Sequence, residues 1–123
     1  MRKTALRVLC SFSALCSFSS CAGAQDSNVT FRMKSNHPNK VQVEFYAQNR
    51  NHAWPGGNKA YNLDDYEFHE FRLRCRAGEK ICYGAWLSGN QNRYWGVGLN
   101  DKHRCSSCCT TCNGGTISFT LNP

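Results

Sequence analysis

Cysteine placement constrains this chain more than any other feature. Six of its nine cysteines fall within residues 75–112, spaced C-x6-C-x22-C-x2-C-C-x2-C, and the last four form Cys105-Ser-Ser-Cys108-Cys109-Thr-Thr-Cys112. The other three, Cys10, Cys16 and Cys21, lie in a first segment of a different character. There Arg2, Lys3 and Arg7 give a basic start, residues 8–21 carry no charge, and Ala22-Gly23-Ala24 offers small residues at A-x-A spacing. Residues 1–24 therefore read as a secretory signal peptide, and residues 25–123 as one exported domain of 99 residues. A competing reading makes Phe18-Ser19-Ser20-Cys21 an acylation box, which would anchor the protein in the outer membrane through Cys21.

Export decides how the cysteines are read. An oxidising compartment and a domain too small to bury a generous core favour three disulfides among Cys75, Cys82, Cys105, Cys108, Cys109 and Cys112. Zinc is the rival, since two C-x-x-C units supply four thiolates, but the two units abut here and leave no chain to wrap an ion. A redox C-x-x-C is the other rival; no βαβ pattern and no helix N-terminus surrounds it. No metal and no cofactor is expected.

Removing Arg2, Lys3 and Arg7 leaves 12 basic and 8 acidic residues, a net charge of +4. No run of Lys or Arg occurs, which argues against nucleic acid as partner. No window of about 18 apolar residues follows the leader, so no transmembrane segment is expected. Arg72, Arg74 and Arg76 recur at period two, which on a strand sets all three on one face. That face is either plain solvated surface or a site for an anionic partner.

Apolar residues alternate at Val29, Phe31 and Met33 and again at Val41, Val43, Phe45 and Ala47. Residues 68–75, 81–88, 93–99 and 116–121 are rich in aromatic and β-branched side chains and are divided by Gly/Asn turns. No window has a helical period. The expected fold is all-β: a small antiparallel β-sandwich, or a partly open barrel, of six to seven short strands stabilised by disulfides.

Turn lengths suggest registers. A four-residue loop at 77–80 sets Cys75 opposite Cys82, and a turn at Asn90-Gln91 sets Trp86 opposite Trp95. One face then carries Phe71, Leu73, Cys75, Cys82, Gly84, Trp86, Trp95, Val97 and Leu99 as core. The other mixes Arg72, Arg74 and Arg76 with Ile81, Tyr83, Ala85 and Leu87. A one-residue slip would invert both faces. This register predicts a Cys75–Cys82 bond, with the other four cysteines paired among themselves; the alternative ties both residues into the cluster.

The turn-rich stretch 49–62, NRNHAWPGGNKAYN, is also aromatic. Trp54, flanked by Arg50, His52 and Tyr61, can offer a flat ring to a sugar or peptide, or can cap the open end of the sandwich. Arg72, Arg74 and Tyr83 complete the candidate ligand-binding set. Catalytic sets are thin. His37, His52, His69 and His103 are scattered, no H-E-x-x-H or G-x-S-x-G occurs, and Asp64, Asp65 and Glu67 beside His69 lack calcium-loop spacing and read as a solvated turn.

The stretches AGEKICYGAW at 77–86 and YWGVGL at 94–99, with the C-x-x-C-C-x-x-C cluster, resemble small exported cysteine-rich proteins of bacteria for which no activity is assigned. The likeness covers roughly residues 41–112 and implies an exported, disulfide-bonded domain without naming a site. The function expected is a secreted or periplasmic, non-catalytic module binding a glycan or protein. The alternatives are a secreted effector, inhibitor or toxin using a basic face on a membrane or protein, and a small hydrolase.

Overall fold

A computed structural model describes residues 25–123; the signal-peptide and Cys21 acylation readings lie outside them. Nine strands follow in order: β1 (Asp26–Ser35), β2 (Val41–Ala47), β3 (Ala53–Trp54), β4 (Tyr61–Leu63), β5 (His69–Arg76), β6 (Lys80–Leu87), β7 (Asn90–Gly96), β8 (Cys109–Thr111) and β9 (Thr116–Leu121). They form a three-stranded sheet, β5-β1-β9, and a six-stranded sheet built on β3-β2-β6-β7, with β4 on β2 and β8 on β6. The sheets face each other as a sandwich and do not close into a barrel. The count exceeds the expected six to seven because β3, β4 and β8 are only two or three residues long. The sandwich is also not wholly antiparallel: β9 runs parallel to β1.

The core forms where inward parities meet. Val29, Phe31 and Met33 of β1, Leu73 and Cys75 of β5, and Leu121 of β9 pack on Val41, Val43 and Phe45 of β2 and on Ile81, Tyr83 and Ala85 of β6. Phe31 and Phe45 meet across the sheets with ring centroids 4.6 Å apart. Burying side chains of this size contributes roughly 1.5–3 kcal/mol each, the main force joining the two layers.

Two expected registers are corrected. Residues 77–80 do not close a hairpin: β5 pairs with β1 (Cys75 opposite Ser27), while β6 pairs with β2 (Cys82 opposite Tyr46), so the chain turns a corner between sheets. Cys75 and Cys82 therefore cannot bond, and the bonds are Cys75–Cys112, Cys82–Cys109 and Cys105–Cys108. On the other hairpin Trp86 faces Tyr94 rather than Trp95, with a register shift between Trp86 and Leu87. The slip inverts the faces of β6 as well: Ile81, Tyr83 and Ala85 point to the core, and Cys82, Gly84 and Trp86 point outward. Trp86 is still buried, donating its indole N–H to Gln42 Oε1 at 3.2 Å. Trp95 sits on the core margin and donates to the Asn122 carbonyl at 2.7 Å. Leu99 leaves the sheet for a 3-10 turn, Leu99–Asp101.

That outward face is covered, which explains the slip. The chain after β7 crosses β6 so closely that a Cβ on Gly84 would lie 1.9 Å from the Gly98 carbonyl oxygen. Tyr46 pins this crossing, its hydroxyl donating to Glu44 Oε1 (2.7 Å) and accepting the Asn100 N–H (2.9 Å). Burial and the neighbouring Glu44 push the Tyr46 phenol above its ordinary range.

Candidate functional site

Strand β3 brings the aromatic stretch to the arginine strand. Trp54 pairs with Phe45 at the edge of the large sheet, and its indole N–H crosses to the small sheet to donate to the Arg74 carbonyl at 3.1 Å. The His52 ring stands edge-on to Trp54, with centroids 4.5 Å apart at 80°. The Arg50 guanidinium lies 5.8 Å from the Trp54 ring centroid. A shallow groove of about 400 Å³ is lined by Asp26, Arg50, His52, Trp54, Arg74 and Arg76. It continues into a second concavity bordered by Asn28, Arg72 and Arg74.

Arg50 is a fixed wall of this groove. It forms two hydrogen bonds to Glu79, Nε to Oε2 and Nη2 to Oε1, the latter at 3.0 Å. Glu79 Oε1 also accepts the Arg76 backbone N–H at 3.0 Å. The Glu79 side chain is only 4% exposed. Arg50 first, then the Arg76 amide, hold its carboxyl below the usual carboxylate range, and Glu79 in turn raises Arg50. Arg74 is different: its pair with Asp26, 3.0 Å, is open to water and screened there.

The groove opens onto the outer face of the small sheet. The β1–β5 register places Arg32 beside Glu70, Thr30 beside Arg72, Asn28 beside Arg74 and Asp26 beside Arg76. With Lys34, this face carries five basic and two acidic residues, so it holds +3 of the +4 of residues 25–123. Thr116, Ser118 and Thr120 of β9 add hydroxyls at Thr30, Arg32 and Lys34. Arg32 lies 4.2 Å from the ring centroid of exposed Phe68. Arginines at alternate positions recur about every 6.8 Å along a strand.

Of the candidate ligand-binding residues, Arg50, His52, Trp54 and Arg74 line one groove and Arg72 the adjoining one. Two do not join them. Tyr83 lies between the sheets, 7% exposed and 4.6 Å from the Phe119 ring, because the β2–β6 pairing sets it opposite inward-facing Phe45. Tyr61 packs on Phe45 and Phe71 at the core edge. Burial raises both phenols. Arg76, read from the sequence as part of the arginine face, joins the groove; Asp26, Arg32 and Lys34 were missed, although Arg32 and Lys34 are the polar residues alternating with Phe31 and Met33. In the acidic turn, His69 Nε2 meets Asp65 Oδ1 at 2.8 Å, and this bond lowers the Asp65 carboxyl.

No family model matches the chain, and no curated protein matches it. Among solved structures it is similar to a leucine-rich repeat protein from Bacteroides thetaiotaomicron, with 15% identity and a TM-score of 0.40. The match covers 80% of this chain and spans only 12% of the length of that protein. Among the described residues no helix is long and apolar enough to cross a membrane, and the six cysteines at 75–112 are all disulfide-bonded.

Proposed function

We propose that the chain is an exported binding module of the secreted or periplasmic space, that the groove at Trp54 binds without catalysis, and that its ligand is an acidic glycan. The observation that carries this reading is the convergence of Trp54 and His52 with the Arg72–Arg74–Arg76 ladder across the open edge of the sandwich. An aromatic edge can contact the apolar face of a sugar ring, while exposed guanidiniums donate paired hydrogen bonds to carboxylate or sulfate oxygens. The hydroxyls and amide beside the ladder suit polar sugar groups. The three disulfides fit an oxidising compartment, in keeping with the small exported cysteine-rich proteins the sequence resembles.

The test is binding of the mature chain to a uronate- or sulfate-bearing polysaccharide, a neutral glucan, and vesicles of anionic phospholipid. Preferential binding to the acidic polysaccharide is expected, weakening roughly ten- to a hundredfold between about 50 and 200 mM salt through counterion release. R72A/R74A should remove most of that salt dependence, and W54A should lower affinity at every salt concentration. Tighter binding to vesicles would favour the effector reading and overturn the glycan; equal binding to the neutral glucan would overturn the role of the ladder.

A further inference from the structure

The three disulfides differ in what they hold. Cys75–Cys112 joins β5 of the small sheet to the segment after β8, with both residues at most 3% exposed. Cys82–Cys109 joins directly opposed residues of β6 and β8. Cys105–Cys108 spans only two exposed serines and ties no two strands together. Closing so short a loop restricts the unfolded chain by about 2 kcal/mol, against about 4 kcal/mol for Cys75–Cys112.

The short bond is also reachable from solvent through one of its sulfurs, and unlike Cys82–Cys109 it can open without freeing a strand pair. Cys105 is half-buried at the wall of a groove of about 470 Å³, which buried Cys82 and half-buried Cys109 also line, whereas Cys108 is buried and does not line it. Lys80, Lys102, His103 and Arg104 line the same groove. Its one carboxylate, Asp101, accepts a hydrogen bond from Gln48 Nε2 at 3.2 Å. His103 is held by stacking on Tyr94, centroids 3.8 Å apart. The three cations Lys80, Lys102 and Arg104 stabilise a thiolate as a helix N-terminus would, and a stabilised thiolate makes its disulfide easier to reduce.

We propose that Cys105 and Cys108 are a redox-active pair that oxidises dithiols of a protein or peptide by thiol–disulfide exchange. A substrate thiolate attacks Cys105 Sγ. The Cys105–Cys108 bond breaks, its electron pair passes to Cys108 Sγ, and that sulfur takes a proton in its buried position. The second substrate thiolate then attacks the substrate sulfur of the mixed disulfide and expels Cys105 as a thiolate among the cations. The substrate gains a disulfide by losing two electrons, and the pair gains both. A disulfide-bearing oxidant, small molecule or protein, reverses the sequence and restores the bond. The other two disulfides keep the sandwich intact throughout.

The test uses the mature chain in glutathione buffers of graded ratio, quenched by alkylation and mapped by mass spectrometry. Cys105 and Cys108 should be alkylated at ratios that leave Cys75–Cys112 and Cys82–Cys109 bonded. C108A should trap glutathione on Cys105, while C105A should trap it on the buried Cys108 at least about tenfold more slowly. In C108A, adding K102A/R104A should slow iodoacetamide modification of Cys105 roughly tenfold at pH 7, equivalent to about one unit of thiol pKa. The wild-type chain should oxidise a reduced dithiol peptide, and C105A/C108A, folded by circular dichroism, should not. Reduction of the pair only together with the other bonds, or equal trapping by C105A and C108A, would overturn the proposal.

Discussion

Removing Cys75–Cys112 should be the most damaging of the three disulfide deletions. The bond closes a loop with a sequence separation of 37, against 27 for Cys82–Cys109 and 3 for Cys105–Cys108. Loop-closure entropy assigns these about 4, 3.5 and 2 kcal/mol. Cys75 is 3% exposed and Cys112 is fully buried, so alanine at both positions also gives up packing beneath Leu73 and the β8 segment. A small domain has a net stability of about 5–15 kcal/mol, so losing about 4 kcal/mol removes roughly a quarter to four-fifths of it. Equilibrium unfolding in denaturant, with melting followed by circular dichroism, should show C75A/C112A melting roughly 15–30 °C lower, and C105A/C108A shifted by less than half as much. Tryptic digestion followed by non-reducing peptide mapping should recover the Cys75 and Cys82 peptides both joined to peptide 105–123, and fragmentation of that peptide should place Cys75 on Cys112 and Cys82 on Cys109. A C75A/C112A protein that melts like the wild type would refute the claim that this bond ties the two sheets together.

Three further outcomes follow from the packing. Glu79→Gln should cost about 2 kcal/mol at pH 7, because it removes the charged partner of Arg50. The folded-state pKa of Glu79 is depressed, so its contribution is fully present above about pH 4.5 and is lost as pH falls through the lower folded value; the stability curve of E79Q should be flatter over that acid window, as titration of the melting temperature will show. Gly84→Ala, whose new methyl would meet the Gly98 carbonyl oxygen, should destabilise by about 3 kcal/mol and displace amide NMR signals of residues 97–103; signals confined to β6 would count against the close crossing. Tyr83→Phe should leave polysaccharide affinity unchanged within twofold, whereas R74A should weaken it; loss of affinity in Y83F would contradict the inward orientation of Tyr83.

The success of the sequence reading at β1 and its failure at β6 have one physical cause. Strand β1 meets solvent on one face and core on the other, so its alternation of Phe31 and Met33 with Arg32 and Lys34 reports orientation directly. Strand β6 is covered on both faces, by the opposite sheet and by the Gly98 crossing, so Ile81, Tyr83 and Ala85 compete with Cys82 and Trp86 for the inward parity. Alternation then carries no information. Gly84, which admits the crossing backbone, was the only local sign that the outward face was occupied, and a glycine in a strand has several other readings. The turn at 77–80 misled for a related reason: a short Gly-containing turn can close a hairpin or turn a corner between sheets, and the choice rests on where Leu73 and Ile81 are buried, which is a nonlocal matter. The groove was legible as two halves, the stretch around Trp54 and the arginine ladder. Their meeting was not, because the bond that joins them runs from Trp54 to the backbone carbonyl of Arg74 and leaves no trace in the identity of either side chain's neighbours along the chain.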